Sequence, residues 1–130
     1  TLPDGRVVNG ADYVGETKRG RMTVYSGDTR PSDAVIALAT GADLLIHEAT
    51  FHASEQVQAE KSAHSTSREA AEVALSAGVK ELIITHFSRR YDPEPADVGI
   101  EMLLQDAQSV FPNTRLAGDF QRFSIERPTV

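Results

Sequence analysis

Four side chains could carry acid–base or metal-binding chemistry: Asp28, Glu48, His64 and His86. Three of them follow short apolar runs, and His64 lies just before a helix. A carboxylate can bridge two metal ions and an imidazole can bind one. A carboxylate beside an imidazole can also pass a proton to a leaving group. The chain contains no cysteine, so any metal must be held by His, Asp and Glu, which suits zinc, manganese or iron. Together these residues predict a hydrolytic metal site.

Each residue also has a simpler explanation. Asp28 would cap the next helix from its turn, His86 would be a hydrogen-bonded loop histidine, and His64 would be a surface histidine in a polar connection. Glu48 is the more informative residue, because it ends an apolar strand where an unpaired carboxylate is costly. We therefore expect Glu48 to have a partner such as a histidine N–H or an arginine.

The remaining histidines are interpreted as structural. His47 alternates with Glu48, so its side chain points to the opposite face of the strand. His52 falls in a polar stretch with weak periodicity. His64, in contrast, lies just before a helix with a capping box, so its ring and the free N–H groups of that helix would both face an anion such as a phosphate.

Strands and helices alternate along the chain. A hairpin turn is predicted at Asn9-Gly10, and the helix ends are marked by Ser32, by the capping box Thr66 to Glu69 and by Gly78. Breaks at Pro93 and Pro95 precede the last helix, whose apolar face begins at Val98. We predict strands over 22–25, 43–48, 81–85 and 120–125, helices over 32–39, 66–77 and 98–110, and helical turns within 54–61.

This order predicts an α/β fold with largely buried strands. In sheets of this kind, ligands bind at the carboxyl ends of the strands. Asp28, Glu48 and His86 all fall at such ends, which is the strongest indication of a functional site.

Composition limits the classes of protein that remain. The 130 residues include 13 basic and 19 acidic side chains, a net charge of −6, with 40% hydrophobic residues, which favours one folded domain without a membrane segment or signal peptide. This charge is not typical of a nucleic-acid binder. Arg89 and Arg90 are a local basic pair, and we interpret a second basic group as solvated surface: Lys18, Arg19, Arg21 and Arg30.

Four linked segments carry a resemblance to a known family: Ser26-Gly27-Asp28-Thr29-Arg30-Pro31, His47-Glu48-Ala49-Thr50-Phe51, His64-Ser65-Thr66 and Thr85-His86-Phe87-Ser88-Arg89-Arg90-Tyr91. In this order they resemble the C-terminal part of the ribonuclease Z family, tRNA 3′-end processing endonucleases of the metallo-β-lactamase superfamily. The resemblance covers essentially the whole chain. It implies that residues 1–130 form a single partial domain, the C-terminal half of an αβ/βα sandwich.

The resemblance also implies residue roles. Asp28 matches the family's metal-bridging aspartate and His86 a terminal metal ligand. Glu48 and His64 match a pair in which the histidine helps to protonate the leaving oxygen, and Arg90 matches a basic residue near the scissile phosphate.

The implied activity is metal-dependent removal of the 3′ trailer from precursor tRNA, with two zinc ions, in a cytoplasmic homodimer. The family motif His-x-His-x-Asp-His does not occur in these residues, so the isolated chain is expected to lack activity. Two alternatives remain open: another metallo-β-lactamase-fold hydrolase acting on small phosphodiesters or esters, and a non-catalytic folded half that serves as a scaffold or partner-binding module.

Overall fold

The computed structural model describes residues 1–92 and 99–127 and contains four β-strands and four α-helices in those ranges, with two of the helices between the second and third strands. The strands are β1 (Thr23–Tyr25), β2 (Leu44–Glu48), β3 (Glu81–Thr85) and β4 (Thr114–Leu116). The helices are α1 (Asp33–Ala39), α2 (Gln56–Ser62), α3 (Ser67–Ala77) and α4 (Ile100–Val110). Short 3-10 helices occupy Gly10–Tyr13, Ala53–Glu55 and Arg89–Tyr91.

The strands form one parallel sheet in the order β1-β2-β3-β4. Leu45 pairs with Val24 on one side and with Leu82 on the other. Parallel strands need a crossover between them, and α1, α3 and α4 supply crossovers. The predicted α/β fold with buried central strands is confirmed.

The core lies between one face of the sheet and α1, α3 and α4. Leu45, Leu82 and Ile84 project from the central strands and are fully buried. The inward face of α3 consists mainly of small residues, including Ala70 and Ala74, which are also fully buried. Side chains of this size allow the helix backbone to lie close to the strands. This close packing fixes the position of α3 relative to the central strands.

Local signals define the helix ends as the sequence predicts. The Ser32 side chain accepts a hydrogen bond from the Ala34 N–H and begins α1. Thr66 and Glu69 form a reciprocal capping box at the start of α3. Gly78 ends that helix in the left-handed conformation, with φ of +63°.

The hairpin predicted at Asn9-Gly10 is wrong. The Asn9 side chain instead accepts a hydrogen bond from the Ala11 N–H and caps the 3-10 helix that begins at Gly10. Asparagine suits both roles, since its short side chain bonds to nearby backbone. Within the described residues, no strand precedes Thr23, so a hairpin has no second strand to pair.

The strand predicted over 120–125 is also wrong, because the edge of β3 is taken by β4. The Ala117 N–H donates to the Ile84 carbonyl at 2.9 Å, which extends this pairing. Residues 120–125 are not in a strand, although the Phe123 ring lies 4.6 Å from the Arg115 guanidinium. The aromatic residues there favour a strand locally, but pairing depends on which segment reaches the edge.

The last helix begins at Ile100, with Gly99 at its N-cap, rather than at residue 98. The predicted breaks at Pro93 and Pro95, and the apolar position Val98, lie outside the described residues. Among the helices in the described ranges, none combines the length and the apolar character needed to cross a bilayer.

Gly78 provides a test of this helix end. No atom lies within 4 Å of a Cβ built at this position, so Gly78→Ala should lose stability through its left-handed backbone alone, by about 1 kcal/mol. Urea denaturation measures the change. Gly20→Ala is the control, because Gly20 also has open space around it but has no left-handed φ. Equal stability of the two variants would contradict this assignment.

Candidate active site

The carboxyl ends of β1, β2 and β3 bring three of the predicted site residues to one edge of the sheet. Glu48 is the last residue of β2 and is in register with Thr85 at the end of β3, directly before His86. Asp28 follows β1 through Gly27, whose φ of +64° allows the chain to turn away from the strand. As a result, Asp28 Oδ2 lies 3.4 Å from His86 Nε2.

His86 has an unusual backbone for a residue with a side chain. Its φ is +61°, a left-handed conformation that costs a non-glycine residue roughly 1–2 kcal/mol. Its Nδ1 is 2.9 Å from the Thr50 hydroxyl, and its ring stacks on that of His64 with centroids 5.3 Å apart. These contacts hold the strained residue in place, and strain of this kind is typical of functional positions.

The Glu48 carboxylate is the most enclosed group of the site, with 1% of its side chain exposed. Oε1 accepts from His64 Nδ1 at 2.6 Å and from the Thr29 N–H at 3.0 Å. Oε2 accepts from the Thr50 hydroxyl at 2.7 Å, and from the N–H groups of Thr50 and Ser65 at 3.1 Å each. The partner expected for this buried carboxylate is therefore a histidine together with backbone N–H groups.

This surrounding keeps Glu48 ionised. Burial raises the pKa of its carboxyl group, but the hydrogen bonds from Thr50, Ser65, His64 and Thr29 outweigh burial and lower the pKa overall. The ionised carboxylate accepts a hydrogen bond from His64 Nδ1–H, which fixes the orientation of that ring. His64 Nε2 is then the nitrogen through which the ring can exchange a proton with a substrate.

Asp28, His64 and His86 also form a group that could hold a metal ion, but Glu48 holds Nδ1 of His64, and the predicted ligands are Asp28 and His86. Each of the three residues offers one ligand atom, and the three atoms lie within 4.8 Å of one another. Carboxylate oxygen and imidazole nitrogen are donors that zinc accepts. The two predicted ligands, Asp28 and His86, face each other at 3.4 Å, and this arrangement is favourable with a cation between them.

Arg30 ties the Asp28 turn to the segment that carries His64. Its guanidinium forms a double hydrogen bond with Glu69, at 2.6 and 2.7 Å, and donates to the His64 carbonyl at 2.6 Å. Gln56 donates to the same carboxylate at 2.7 Å. The interpretation of Arg30 as solvated surface is wrong, since a bidentate ion pair holds it half-buried.

Arg90 lies outside this cluster. It is paired with Glu55 and its guanidinium lies 5.1 Å from the centre of the Phe51 ring. That ring is in turn 6.4 Å from the His64 ring. Arg90 is thus one aromatic ring away from the acid–base pair, and its role at a phosphate stays a prediction.

The other two histidines have local partners. His47 is fully buried on the core face of β2, and its Nδ1 donates to the Glu48 carbonyl at 2.8 Å. Burial lowers the pKa of this ring, so it remains neutral. His52 accepts from the Ser54 N–H at 3.1 Å and caps a 3-10 helix.

Sequence reasoning missed Thr50, Arg30 and Glu69 as members of the site. Thr50 stands two residues after Glu48, and the alternation of an extended chain predicts that both lie on the same face. This was a usable signal. No sequence signal pairs Arg30 with Glu69, because they are far apart in the chain and the capping box already explains Glu69.

With this geometry in place, comparison with known proteins identifies the class. The family model described as "Beta-lactamase superfamily domain" matches residues 11–87. The chain belongs to this superfamily. A solved metallo-β-lactamase-fold protein, YhfI from Bacillus subtilis, is 31% identical with a TM-score of 0.60, over 72% of this chain and 36% of that one.

Relatives named ribonuclease Z share more sequence identity with this chain than YhfI does. Those from Brevibacillus brevis and Geobacillus kaustophilus are 55% and 51% identical, over 98% and 97% of this chain and 40% of each relative. The short form of human tRNase Z is 33% identical with a TM-score of 0.62, over 82% of this chain and 34% of that one. The predicted resemblance to ribonuclease Z is confirmed, and the chain spans about two fifths of the length of these curated relatives.

The ion pair of Glu69 makes part of the stability depend on pH. Burial raises the pKa of this carboxyl group, but hydrogen bonds from Arg30, Gln56 and the Thr66 N–H outweigh burial, so the pKa is lowered overall. A group with a lowered folded-state pKa stabilises the fold above its unfolded pKa, about 4.3, and this stabilisation is lost as pH falls through the folded value. We expect the free energy of unfolding to fall between about pH 6 and about pH 3, and to fall less in Glu69→Gln.

Urea denaturation across this pH range provides the measurement. Glu72→Gln, which changes an exposed residue of the same helix, should follow the unmodified chain. A pH dependence in Glu69→Gln as large as that of Glu72→Gln would show that the Arg30–Glu69 pair does not stabilise the fold.

Proposed function

We propose that this chain forms part of the catalytic site of a metal-dependent endoribonuclease of the ribonuclease Z type, which hydrolyses a phosphodiester bond to remove the 3′ trailer from precursor tRNA. The observation that carries the proposal is the convergence of an acid–base pair, Glu48–His64, with a metal-binding pair, Asp28–His86, at one sheet edge. The relatives named ribonuclease Z support the choice of substrate.

Asp28 and His86 are the proposed metal ligands, Asp28 as the bridge and His86 as a terminal ligand. Zinc, in a pair of ions, is the metal that the family resemblance implies, and imidazole and carboxylate are donors that zinc accepts. A metal ion held by Asp28 and His86 would supply an activated water as the nucleophile and would offset negative charge on the phosphate. Two predicted ligands are fewer than the three or four that zinc usually takes, so we propose that the 130-residue chain alone is inactive.

His64 is the proposed proton donor to the leaving oxygen. Its Nδ1 is held by Glu48 at 2.6 Å, so a protonated ring presents Nε2–H to the substrate. The negative charge of Glu48 stabilises the imidazolium and restricts the orientation of the ring. Backbone N–H groups fix the carboxylate itself, so the pair is preorganised for proton transfer.

Arg90 is the proposed substrate contact, reached when a phosphate replaces Glu55 as its partner. With 45% of its side chain exposed, it is accessible to RNA, and its cation charge suits a phosphate oxygen. The remaining proposals rest on the family resemblance: residues 1–130 as a partial domain, a homodimer, and a cytoplasmic location.

Proton delivery by His64 gives the first test. In the complete enzyme, His64→Ala should lower the turnover of precursor tRNA by roughly 10² to 10⁴ while leaving metal content and tRNA binding nearly unchanged. Glu48→Gln should cause much of the same loss, and the double variant should be little worse than either, because the two residues act as a unit. Single-turnover cleavage and metal analysis provide the measurements.

His52→Ala is the matched control, since His52 lies outside the cluster, and it should retain activity. Losses that multiply in the double variant, or loss of metal from His64→Ala, would contradict the proton-donor role. Cleavage of a small phosphodiester such as bis(p-nitrophenyl) phosphate, without cleavage of precursor tRNA, would favour the alternative hydrolase.

Metal binding by Asp28 gives the second test. Asp28→Ala in the complete enzyme should lower both metal content and turnover, because a bridging carboxylate is removed. Asp12→Ala, at an exposed aspartate in the first 3-10 helix, is the control. Two ions still bound and full activity in Asp28→Ala would exclude Asp28 as a ligand.

A further inference from the structure

The hydroxyl group of Thr50 lies between the acid–base pair and the metal-binding pair. Its Oγ1 is 2.7 Å from Glu48 Oε2, 2.9 Å from His86 Nδ1 and, less closely, 3.3 Å from His64 Nδ1. Only 7% of Thr50 is exposed. A hydroxyl carries a single proton, so the direction of these hydrogen bonds can be worked out.

The Thr50 hydroxyl donates its hydrogen bond to Glu48. Oε2 of that carboxylate also accepts the N–H groups of Thr50 and Ser65, and backbone N–H groups can only donate. Oε2 is therefore an acceptor with no proton of its own. Two oxygens at 2.7 Å repel unless a proton lies between them, and Thr50 is the group that supplies it.

The bond to His86 must then run in the other direction. Because its one O–H group donates to Glu48, the Thr50 oxygen can only accept from His86, so His86 Nδ1 carries the ring proton. In the neutral ring, Nε2 has the free electron pair, and this nitrogen faces Asp28 Oδ2 at 3.4 Å.

Thr50 is itself held in place on both sides. Its N–H donates to Glu48 Oε2 at 3.1 Å, and its carbonyl accepts from the Ser88 N–H at 3.0 Å. Ser88 lies two residues after His86, so the backbone bond fixes the loop that carries the histidine ring. Backbone hydrogen bonds on both sides of Thr50 thus fix the position from which its hydroxyl projects.

We propose that Thr50 is a positioning residue that fixes the Nδ1–H tautomer of His86 and thereby presents Nε2 as a metal-binding nitrogen. The inference rests on the proposed function in taking His86 as a ligand. Hydrogen bonding of the second ring nitrogen commonly sets which tautomer binds a metal. Here the same hydroxyl also bonds to the carboxylate that orients His64, so the ligand and the proton donor share one support.

The test compares two substitutions that differ in whether the hydroxyl is kept. Thr50→Val keeps the branched shape and removes the hydroxyl, whereas Thr50→Ser keeps the hydroxyl. The tautomer of His86 is read by long-range ¹H–¹⁵N NMR of the metal-free 130-residue chain labelled at histidine, with His86→Gln assigning the signal. Zn²⁺ affinity is measured by titration of the same samples.

We expect the unmodified chain and Thr50→Ser to hold the proton on Nδ1 of His86. Thr50→Val should lose this preference and bind Zn²⁺ roughly 10- to 100-fold more weakly, the usual effect of removing such a support. A proton on Nε2 in the unmodified chain, or a ring that exchanges between tautomers as in an unstructured peptide, would overturn the proposal. So would a Thr50→Val chain that keeps both the tautomer and the affinity.

This outcome is separable from that of the proposed function. The tautomer is measured without metal or RNA, so it does not depend on tRNA cleavage. Failure of the complete enzyme to cleave precursor tRNA would remove the proposed function while leaving the tautomer assignment intact.

Discussion

A buried negative charge at the end of β2 organises this site. Moving an isolated carboxylate out of water costs several kcal/mol, and Glu48 has 1% of its side chain exposed. Hydrogen bonds from Thr29, Thr50, His64 and Ser65 replace the lost water. These partners come from the turn after β1, the chain after β2 and the segment before α3, so satisfying one carboxylate fixes three loops relative to one another.

A second ion pair reinforces the same arrangement from outside. Glu69 completes the capping box of α3 through the Thr66 N–H and at the same time accepts both arms of Arg30. The same carboxylate therefore caps α3 and holds the turn that carries Asp28. Because Arg30 also donates to the His64 carbonyl, the distance between Asp28 and His64 depends on this pair.

Contacts of the His86 ring offset the strain in its backbone. A left-handed residue after β3 places its ring across the sheet edge, where it meets Thr50, His64 and Asp28. An unstrained backbone would send the ring elsewhere. The hydrogen bond, the stacking contact and the facing carboxylate offset a cost of about 1–2 kcal/mol, which agrees with the general finding that strain is concentrated at functional sites.

Local chemistry in the sequence determined much of the architecture. Apolar runs, the Ser32 cap, the Thr66–Glu69 box and Gly78 predicted the buried strands and the helix ends, because each depends on interactions within a few residues. The placement of Asp28, Glu48 and His86 at one edge followed from strand order alone. The family resemblance added roles to these positions.

Tertiary structure decided the rest. Thr114–Leu116, rather than residues 120–125, pairs with the edge of β3, because pairing depends on which segment reaches the edge. Arg30 proved to be an ion-pair partner and Thr50 a shared hydrogen-bond partner. A guanidinium or a hydroxyl has no preferred partner in the sequence, because its partner is whichever donor or acceptor the fold places within about 3 Å.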